Sequence, residues 1–305
     1  MARSVIVLMG GWSGEREVSL VSGRNVAAAL GEAGYEVRSL DVGRDLAGLA
    51  AALDPRPDVV FNALHGRFGE DGRMQGILDL LEIPYTHSGV LASALAMDKP
   101  MAKRLFRCAG IRCAEHVVVS RSVAVGGDVL PRPYVVKPLR EGSSLGVVIV
   151  LDGSDVQVAE ERWPSDETVM VERYVPGREI TVAVMGGRAL GVTEIRPVDG
   201  FYDYRAKYTD GASVHLVPAP LPPDAYDAAM QFSVDAHEAL GCRGVTRADL
   251  RYDDRVGGAD GVHLLEVNTQ PGMTPMSLVP ELAAHAGIDF VSLVSWMVEH
   301  AACDP

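Results

Sequence analysis

The chain has 305 residues, 48% of them hydrophobic and 23% charged, so it is long enough for two or three globular domains. Its net charge of −13 argues against nucleic acid and anionic membranes as partners. The four cysteines have no metal-ligand spacing, and the first apolar run is too short for a signal peptide or a membrane span. We therefore expect a protein of the reducing cytoplasm.

Short apolar strands alternate with helical stretches over residues 4–90. The stretches are SVIVLM, VSLVSGRNVAAALGEAG, YEVRSLDV, DVVFNAL and ILDLLEIPY. This alternation is typical of βαβ units and predicts a mostly parallel sheet in an N-terminal domain, residues 1–90.

Two further lobes are expected after this domain. Residues 91–175 begin with a helical stretch, Leu91–Ala109, and continue through the strands HVVVS and YVVKP. Residues 176–305 contain three strands (EITVAVMG, ALGVTEI and SVHLVPA), a helix from Pro223 to Leu240, a hairpin and a final helix, Asp289–His300. The sequence thus predicts three α/β lobes.

Three glycine-punctuated loops follow predicted strands. In the first, GGWSGEREVS, Ser13 could cap a helix with Glu15 and Glu17 at its positive end. Alternatively, one of these acids holds a substrate ammonium at the end of the parallel sheet. The second loop, HGRFGEDG, places His65 directly after a strand, where a loop role and a catalytic role both remain open.

The third loop follows Lys137 in YVVKPLREGSSLG. Backbone N–H groups in such a loop can surround phosphate, and Lys137 would add a charge. The spacing differs from the GxxxxGK[ST] of P-loop proteins, and a plain surface turn is the alternative. Farther along, FYDYRAKYT carries four aromatic residues among charges. It predicts a lid over residues 201–215 or a loop docked through its rings.

The segments TRADLRY and VHLLEVNTQP predict an antiparallel hairpin. Alternation puts Arg247, Asp249 and Arg251 on one face of the first strand, and Leu264, Glu266 and Asn268 on one face of the second. The oxygens of Asp249, Glu266 and Asn268 would suit Mg²⁺ shared with nucleotide phosphates. The alternative is three solvated polar residues on an open face.

Five ordered segments of the chain resemble the D-alanine–D-alanine ligases of the ATP-grasp fold. They are GGWSGEREVSL, HGRFGEDGRMQGILDLLEIPYTHSGVLASALAMDK, VVKPLREGSSLGV, FYDYRAKY and LLEVNTQPGMTPMSLVP. The resemblance implies an α/β protein whose N-terminal βαβ parallel-sheet domain is followed by two α+β lobes that sandwich ATP. It also implies ligation of two D-alanines through an acyl phosphate, for peptidoglycan precursor synthesis.

The resemblance further implies roles for individual residues. Lys99 and Lys137 would bind the phosphates of ATP, and Lys207 would also contact ATP. The hinge that contacts adenine would be formed by Glu172, Arg173, Tyr174 and Val175, and Glu179 would bind the ribose hydroxyls. Asp249, Glu266 and Asn268 would bind two Mg²⁺ or Mn²⁺ ions. Glu15 and His65 would bind the first D-alanine, and Ser143 and Tyr208 would connect the lid to Glu15 by hydrogen bonds. Arg247 and Gly272 would stabilise the oxyanion. Ser277 and Leu278 would bind the carboxylate of the second D-alanine. A homodimer is also implied.

Four residues depart from common members of the family: Arg173, His87, Gln270 and Met276. None of these departures removes a group that the chemistry needs. The presence of Tyr208 favours the dipeptide product over an ester with D-lactate, which is the rival activity within the fold. The alternative from another functional class is a nucleotide-binding protein without catalytic activity.

Overall fold

A parallel sheet forms the N-terminal part of the computed structural model, which describes residues 2–153, 168–198 and 211–304. Its strands are β1 (Ser4–Gly10), β2 (Glu36–Val42) and β3 (Val59–Asn62), in the order β2-β1-β3. The helices α1 (Arg16–Glu32), α2 (Leu46–Ala52) and α3 (Arg73–Leu80) accompany them. The expected βαβ arrangement is confirmed.

The single helix expected over Leu91–Ala109 is instead two helices, α4 (Val90–Met97) and α5 (Lys99–Cys108). The break is at Asp98, whose ψ of 92° is extended and whose carboxylate accepts a hydrogen bond from the Met101 N–H. A residue in this conformation ends one helix and caps the next. The prediction of one continuous helix was wrong because Asp98 ends the first helix and caps the second.

A residue distant along the chain caps helix α4. Its own N-cap residue is Gly89, which has no side chain to offer. The carboxylate of Asp304 accepts a 2.7 Å hydrogen bond from the Val90 N–H, and a Cβ built on Gly89 would lie 1.7 Å from an Asp304 oxygen. The C-terminal segment thus supplies the missing acceptor at the helix start.

A four-stranded antiparallel sheet lies in the second part of the chain. It contains β4 (His116–Ser120), β5 (Tyr134–Pro138), β6 (Val148–Val150) and β7 (Thr168–Arg173), in the order β4-β7-β5-β6. The short helix α6 (Arg121–Val125) packs on it, with Ala124 among the buried valines.

The third part contains a five-stranded antiparallel sheet in the order β10-β9-β8-β11-β12. The strands are β8 (Arg178–Met185), β9 (Arg188–Pro197), β10 (Ser213–Leu216), β11 (Val245–Tyr252) and β12 (Val262–Asn268). Helix α7 (Pro223–Ala239) packs against this sheet, and α8 (Leu278–His285) and α9 (Phe290–Glu299) follow. The expected strands and the expected helices around 223–240 and 289–300 are present, whereas α8 was not anticipated.

The predicted alternation holds along β11 but fails along β12. Arg247, Asp249 and Arg251 lie on the partly exposed face of β11, as expected. A β-bulge shifts the register so that Asp249 pairs with Glu266 while Leu250 pairs with Leu264. Leu264 is therefore buried in the core and does not share a face with Glu266, because a bulge inserts one residue without a partner.

The lobes are joined by a shared core. Residues of the parallel sheet, such as Val5 and Phe61, pack in one cluster with Leu293 and Val294 of α9. The boundaries at residues 90 and 175 stay a prediction. Within the described ranges, no single helix is long and apolar enough to cross a membrane; α8 and α9, bent by 104°, pass that test as a pair by length and composition.

Candidate active site

A cavity lies where the two antiparallel sheets meet. It brings together residues from β5, β7, β11, β12 and the start of α5. All described residues that the resemblance associated with ATP line it: Lys99, Lys137, Glu172, Arg173, Tyr174, Val175 and Glu179, together with Asp249 and Glu266. The cavity is lined by apolar side chains and by Lys99 and Lys137, a combination that suits the base and the phosphates of a nucleotide.

The glycine-serine loop after β5 covers one side of this cavity. Ser143 and Ser144 have φ values of 51° and 57°, a left-handed conformation that side chains rarely adopt. The Lys99 ammonium donates a 2.6 Å hydrogen bond to the Glu141 carbonyl and so ties α5 to the loop. Backbone strain of this kind is concentrated at functional sites in proteins.

The segment after β7 is held by Arg251, a residue that the sequence interpretation did not assign to the site. Its guanidinium donates to the Val175 carbonyl at 3.0 Å and lies 3.5 Å from the Glu179 carboxylate. It also lies 5.4 Å from the centroid of the Tyr174 ring. Arg251 thereby fixes the segment that is expected to contact adenine and ribose.

A second cavity adjoins the first and shares Glu266 with it. It contains the described residues that the resemblance associated with D-alanine and the oxyanion, and two of the three associated with the metal: Glu15, His65, Ser143, Arg247, Glu266, Asn268, Gly272, Ser277 and Leu278. Met276 also lines it. Residues distant along the chain therefore converge on one small polar chamber.

Glu15 is the N-cap residue of α1, but its carboxylate does not cap the helix. It accepts a hydrogen bond from the Ser143 hydroxyl across the chamber. Ser13 lies two residues before this N-cap position; its hydroxyl donates to the His65 carbonyl at 2.7 Å and accepts from the Glu15 N–H at 3.2 Å. The capping interpretation is thus confirmed in part: Ser13 satisfies the Glu15 N–H and Glu17 lies in the first turn, whereas the Glu15 carboxylate is directed into the chamber.

Two glycines allow the loops to approach Glu15. A Cβ on Gly66 would lie 3.0 Å from a Glu15 oxygen and 2.8 Å from the Ser13 Cβ, and Gly66 has a φ of 73°. A Cβ on Gly142 would lie 3.2 Å from the same Glu15 oxygen. Side chains at these positions would push the loops apart.

His65 is buried beside Glu15. Burial lowers the pKa of its imidazole, Glu15 opposes that shift, and Arg247 adds to it. The Ser22 hydroxyl lies 3.5 Å from its Nε2 and also accepts a hydrogen bond from the Met273 N–H. The ring is therefore held in place next to the carboxylate.

The three proposed metal ligands stand at the junction of the two cavities. Asp249 is paired bidentately with Arg247 at 2.8 and 2.7 Å, and Glu266 lies 3.5 Å from the Lys99 ammonium. The Asn268 side-chain oxygen accepts from the Gln270 N–H. Two carboxylates and an amide oxygen on adjacent strands are hard donors that fit Mg²⁺. Among the described residues, no group of three or more His, Cys, Asp or Glu is arranged to hold a metal ion, and the set with Asn268 stays a prediction.

The start of α8 forms another wall of the second cavity. Ser277 is the N-cap residue, and its hydroxyl accepts from the Thr274 N–H at 2.9 Å. Leu278 is the first helical residue, so its N–H belongs to the positive end of the helix, where carboxylates bind well. A Cβ on Gly272 would lie 3.0 Å from the Ser277 hydroxyl.

Glu70 is a buried acid of the chamber that the sequence interpretation missed. Burial and the nearby Glu15 raise the pKa of its carboxyl to about 8, although a 2.6 Å hydrogen bond from the Gly66 N–H and the charge of Arg247 oppose this shift. The HGRFGEDG loop contains several polar residues, and nothing in its spacing distinguishes this one.

Gln270 links the loops of the N-terminal part to the strand of the proposed metal ligands. Its side chain is 1% exposed, accepts a 3.0 Å hydrogen bond from the Asn62 amide, and donates to the Leu64 carbonyl. The departure at this position thus has a structural role.

Replacing Gln270 with Ala should lower the free energy of unfolding by about 2–4 kcal/mol, because two buried polar groups lose a partner. Urea unfolding at pH 7.5 would measure this. The matched control is Gln231→Ala on the exposed face of α7, expected to change stability by less than about 0.5 kcal/mol. Equal stability of the two variants would contradict the linking role.

His87 occupies an unusual buried position. Its φ is 72°, its side chain is 4% exposed, and its Nδ1 has no hydrogen-bond partner among the described residues. Burial lowers the pKa of this imidazole to about 3, although a backbone hydrogen bond at Val245 opposes the shift. The native state therefore holds His87 neutral.

This neutral histidine should make the protein sensitive to acid. Because the unfolded chain binds a proton near pH 6.5 and the native state does not, the contribution of His87 is complete above pH 6.5 and declines as pH falls toward 3. Between pH 7.5 and 5 it should remove about 2 kcal/mol. In urea unfolding, the free energy of unfolding of His87→Asn should not show this decrease between pH 7.5 and 5. The control His300→Asn, at an exposed position, should show it as the wild type does. A His87→Asn variant with the wild-type acid loss would disprove the assignment.

Lys207, Tyr208 and residues 201–210 of the expected lid lie outside the described residues. The described remainder of that segment leads into β10, so residues 213–215 are strand and not loop. The prediction of a loop extending to residue 215 was therefore wrong at its end, and the rest of the lid stays a prediction.

Glu266 lines both cavities, as well as a third one beside Lys99. The cavity that contains the phosphate lysines thus meets the small polar chamber at Glu266. Together with one parallel and two antiparallel sheets, this arrangement fits the ATP-grasp class of ATP-dependent ligases.

Comparisons with known proteins agree with this class. Residues 105–299 match the family model described as D-ala D-ala ligase C-terminus, and residues 48–88 match the corresponding N-terminus model. The D-alanine–D-alanine ligase of Paramagnetospirillum magneticum is 59% identical over 307 residues, with 100% of both chains covered. The chain belongs to the D-alanine–D-alanine ligase family.

Solved structures show the same fold. The D-alanine–D-alanine ligase of Bacillus anthracis complexed with ATP superimposes with a TM-score of 0.81 at 32% identity, covering 98% of this chain and 96% of that one. A D-Ala:D-Ser ligase from Enterococcus faecalis gives 0.80 at 28% identity, covering 98% and 99%. The expected ATP-grasp architecture is confirmed.

Proposed function

We propose that the chain joins two D-alanines to D-alanyl-D-alanine, converting ATP to ADP and phosphate, for peptidoglycan precursor synthesis. One observation carries the proposal: the nucleotide cavity and the small polar chamber meet at Glu266. Phosphate transfer to a substrate carboxylate needs such a junction. The 59% identity to a ligase favours an active enzyme over a silent nucleotide-binding protein.

The first step takes place at the Glu15 side of the chamber. Glu15 holds the ammonium of the first D-alanine, and His65 lies near its carboxylate. An oxygen of that carboxylate attacks the γ-phosphorus of ATP, and the bond to the β-γ bridging oxygen breaks, giving an acyl phosphate and ADP. Lys99 and Lys137 offset the charge of the phosphates.

The second step takes place beside α8. The Ser277 hydroxyl and the Leu278 N–H hold the carboxylate of the second D-alanine. Its neutral amine attacks the acyl carbon, the C–O bond to phosphate breaks, and the proton that the amine loses goes to the departing phosphate. Arg247 and the Gly272 N–H stabilise the oxyanion that forms in between.

Magnesium or manganese completes the site. Asp249, Glu266 and Asn268 would hold two ions, and their oxygen donors support this assignment. When bound, such ions neutralise negative charge on the phosphate oxygens. Lys207 and Tyr208 are proposed to contact ATP and the Ser143 side of the chamber.

A cytoplasmic homodimer is part of the proposal. Leu80 and Leu91, which are 87% and 68% exposed, lie on the contacting helices α3 and α4 and would suit a subunit interface. Light scattering of the purified protein would give the oligomeric state, and a monomer at micromolar concentration would reject the dimer.

The activity test measures ADP release from Mg-ATP with D-alanine, and identifies the product by mass. D-Alanine-dependent ADP release with the dipeptide as product is expected, and L-alanine serves as the control. Parallel reactions with D-lactate or D-serine test whether another second substrate is preferred. A mixed product formed in preference to the dipeptide would contradict the proposed specificity for D-alanine. ATP binding without turnover would overturn the enzyme itself.

A further inference from the structure

A buried group of three charges lies at one end of the nucleotide cavity. The carboxylate of Glu172 contacts the ammonium groups of both Lys103 and Lys137. The three side chains are 0%, 3% and 9% exposed for Lys103, Glu172 and Lys137. Lys103 belongs to α5 and was not assigned any role from the sequence.

The three residues come from three different elements. Glu172 of β7 pairs with Val135 of β5, and Lys137 lies two residues farther along β5. The Lys103 ammonium also lies 3.5 Å from the Leu264 carbonyl of β12. Glu172 and Lys137 line the nucleotide cavity, whereas Lys103 reaches the carboxylate from α5.

Two cations share one anion in this group, and this has a consequence for ATP binding. If Lys137 directs its charge to a phosphate, as the proposed function requires, Glu172 loses one of its two partners. A buried carboxylate without a counter-charge is strongly unfavourable. Burial alone would raise the pKa of Glu172, but the two lysines hold it at about 2, so the carboxylate is charged and needs a partner.

We propose that Lys103 is a positioning residue for ATP: it is the permanent counter-ion of Glu172 and thereby leaves Lys137 free to bind the nucleotide. The inference rests on the proposed role of Lys137. Without Lys103, the Glu172 carboxylate would retain Lys137, and ATP would have to break that buried ion pair in order to bind.

Calorimetric titration of the full chain with a non-hydrolysable ATP analogue and Mg²⁺ tests this. Lys103→Met keeps the length of the side chain and removes its charge. Its dissociation constant for the analogue should rise about ten- to a hundredfold, the effect of one lost charge-assisted contact. In turnover assays the change should appear in KM for ATP more than in kcat.

A double-mutant cycle separates this role from a merely structural one. In a Glu172→Gln background, Lys137 is no longer retained, so adding Lys103→Met should change the dissociation constant by less than about threefold. An equal loss in both backgrounds, or no loss in either, would overturn the proposal. Should Lys103→Met fail to fold, Lys103→Arg keeps the charge, and a loss of more than tenfold there would overturn it too.

Lys137→Met distinguishes the two proposals. This variant should lose affinity for the analogue whatever Lys103 does. Unchanged affinity in Lys137→Met would reject the phosphate role of Lys137 and with it the proposed function of this side of the cavity. Weak binding by Lys137→Met combined with normal binding by Lys103→Met would reject the inference about Lys103 alone.

Discussion

Glu266→Gln should reduce turnover about a thousandfold or more while leaving the fold intact. Glu266 is the residue shared by all three cavities, and it pairs across the strands with Asp249. The amide keeps the size of the side chain but removes the charge that would hold a divalent ion. Such an ion supplies several kcal/mol of transition-state stabilisation, and each 1.4 kcal/mol is about a factor of ten in rate.

The measurement is ADP release at saturating Mg-ATP and D-alanine, with circular dichroism and thermal unfolding as tests of the fold. Glu238→Gln is the matched control, because Glu238 is exposed on α7 and distant from the cavities. A Glu266→Gln rate within tenfold of wild type would reject the metal assignment for this residue.

Arg247→Met should lower kcat by a factor of about a hundred to a thousand, which is the cost of losing one oxyanion donor in comparable sites. Met roughly keeps the length and removes the charge. KM for ATP should change little, since Arg247 lines the small chamber and not the nucleotide cavity. Initial rates over a matrix of ATP and D-alanine concentrations would separate the two parameters.

Two further variants make this result interpretable. Arg247→Lys keeps a charge but loses the fork that binds Asp249 at two atoms, so it should recover only part of the rate. Arg188→Met makes the same exchange at an exposed position of β9 and should be neutral. A large rise in KM for ATP with unchanged kcat in Arg247→Met would place this arginine in nucleotide binding instead.

Alternation along β11 could be recognised in the sequence, because a strand with one buried face has a period of two residues. The neighbouring β12 does not follow this rule at Leu264, since its bulge depends on how it pairs with β11 and not on its own composition. Local patterns thus predict which strands exist, whereas the pairing of strands decides the exact face.

Buried polar residues were the hardest part of the site to anticipate. Lys103 lies in KPMAKRLFRC, where a lysine looks like an ordinary surface residue of a helix, and its partner Glu172 belongs to a distant strand. Gln270 and Glu70 likewise acquire their roles from loops that meet only in the folded chain. Contacts between such distant residues leave no periodic signal in the sequence.

The Asp304 cap has a consequence for the order in which the protein can acquire its structure during translation. The acceptor for the Val90 N–H lies 214 residues later in the chain, and Gly89 cannot replace it. At bacterial elongation rates of about 5–20 residues per second, the ribosome needs roughly 10–40 s to reach it. Until Asp304 has been synthesised, the start of α4 lacks this acceptor, which is worth about 0.5–2 kcal/mol to a helix.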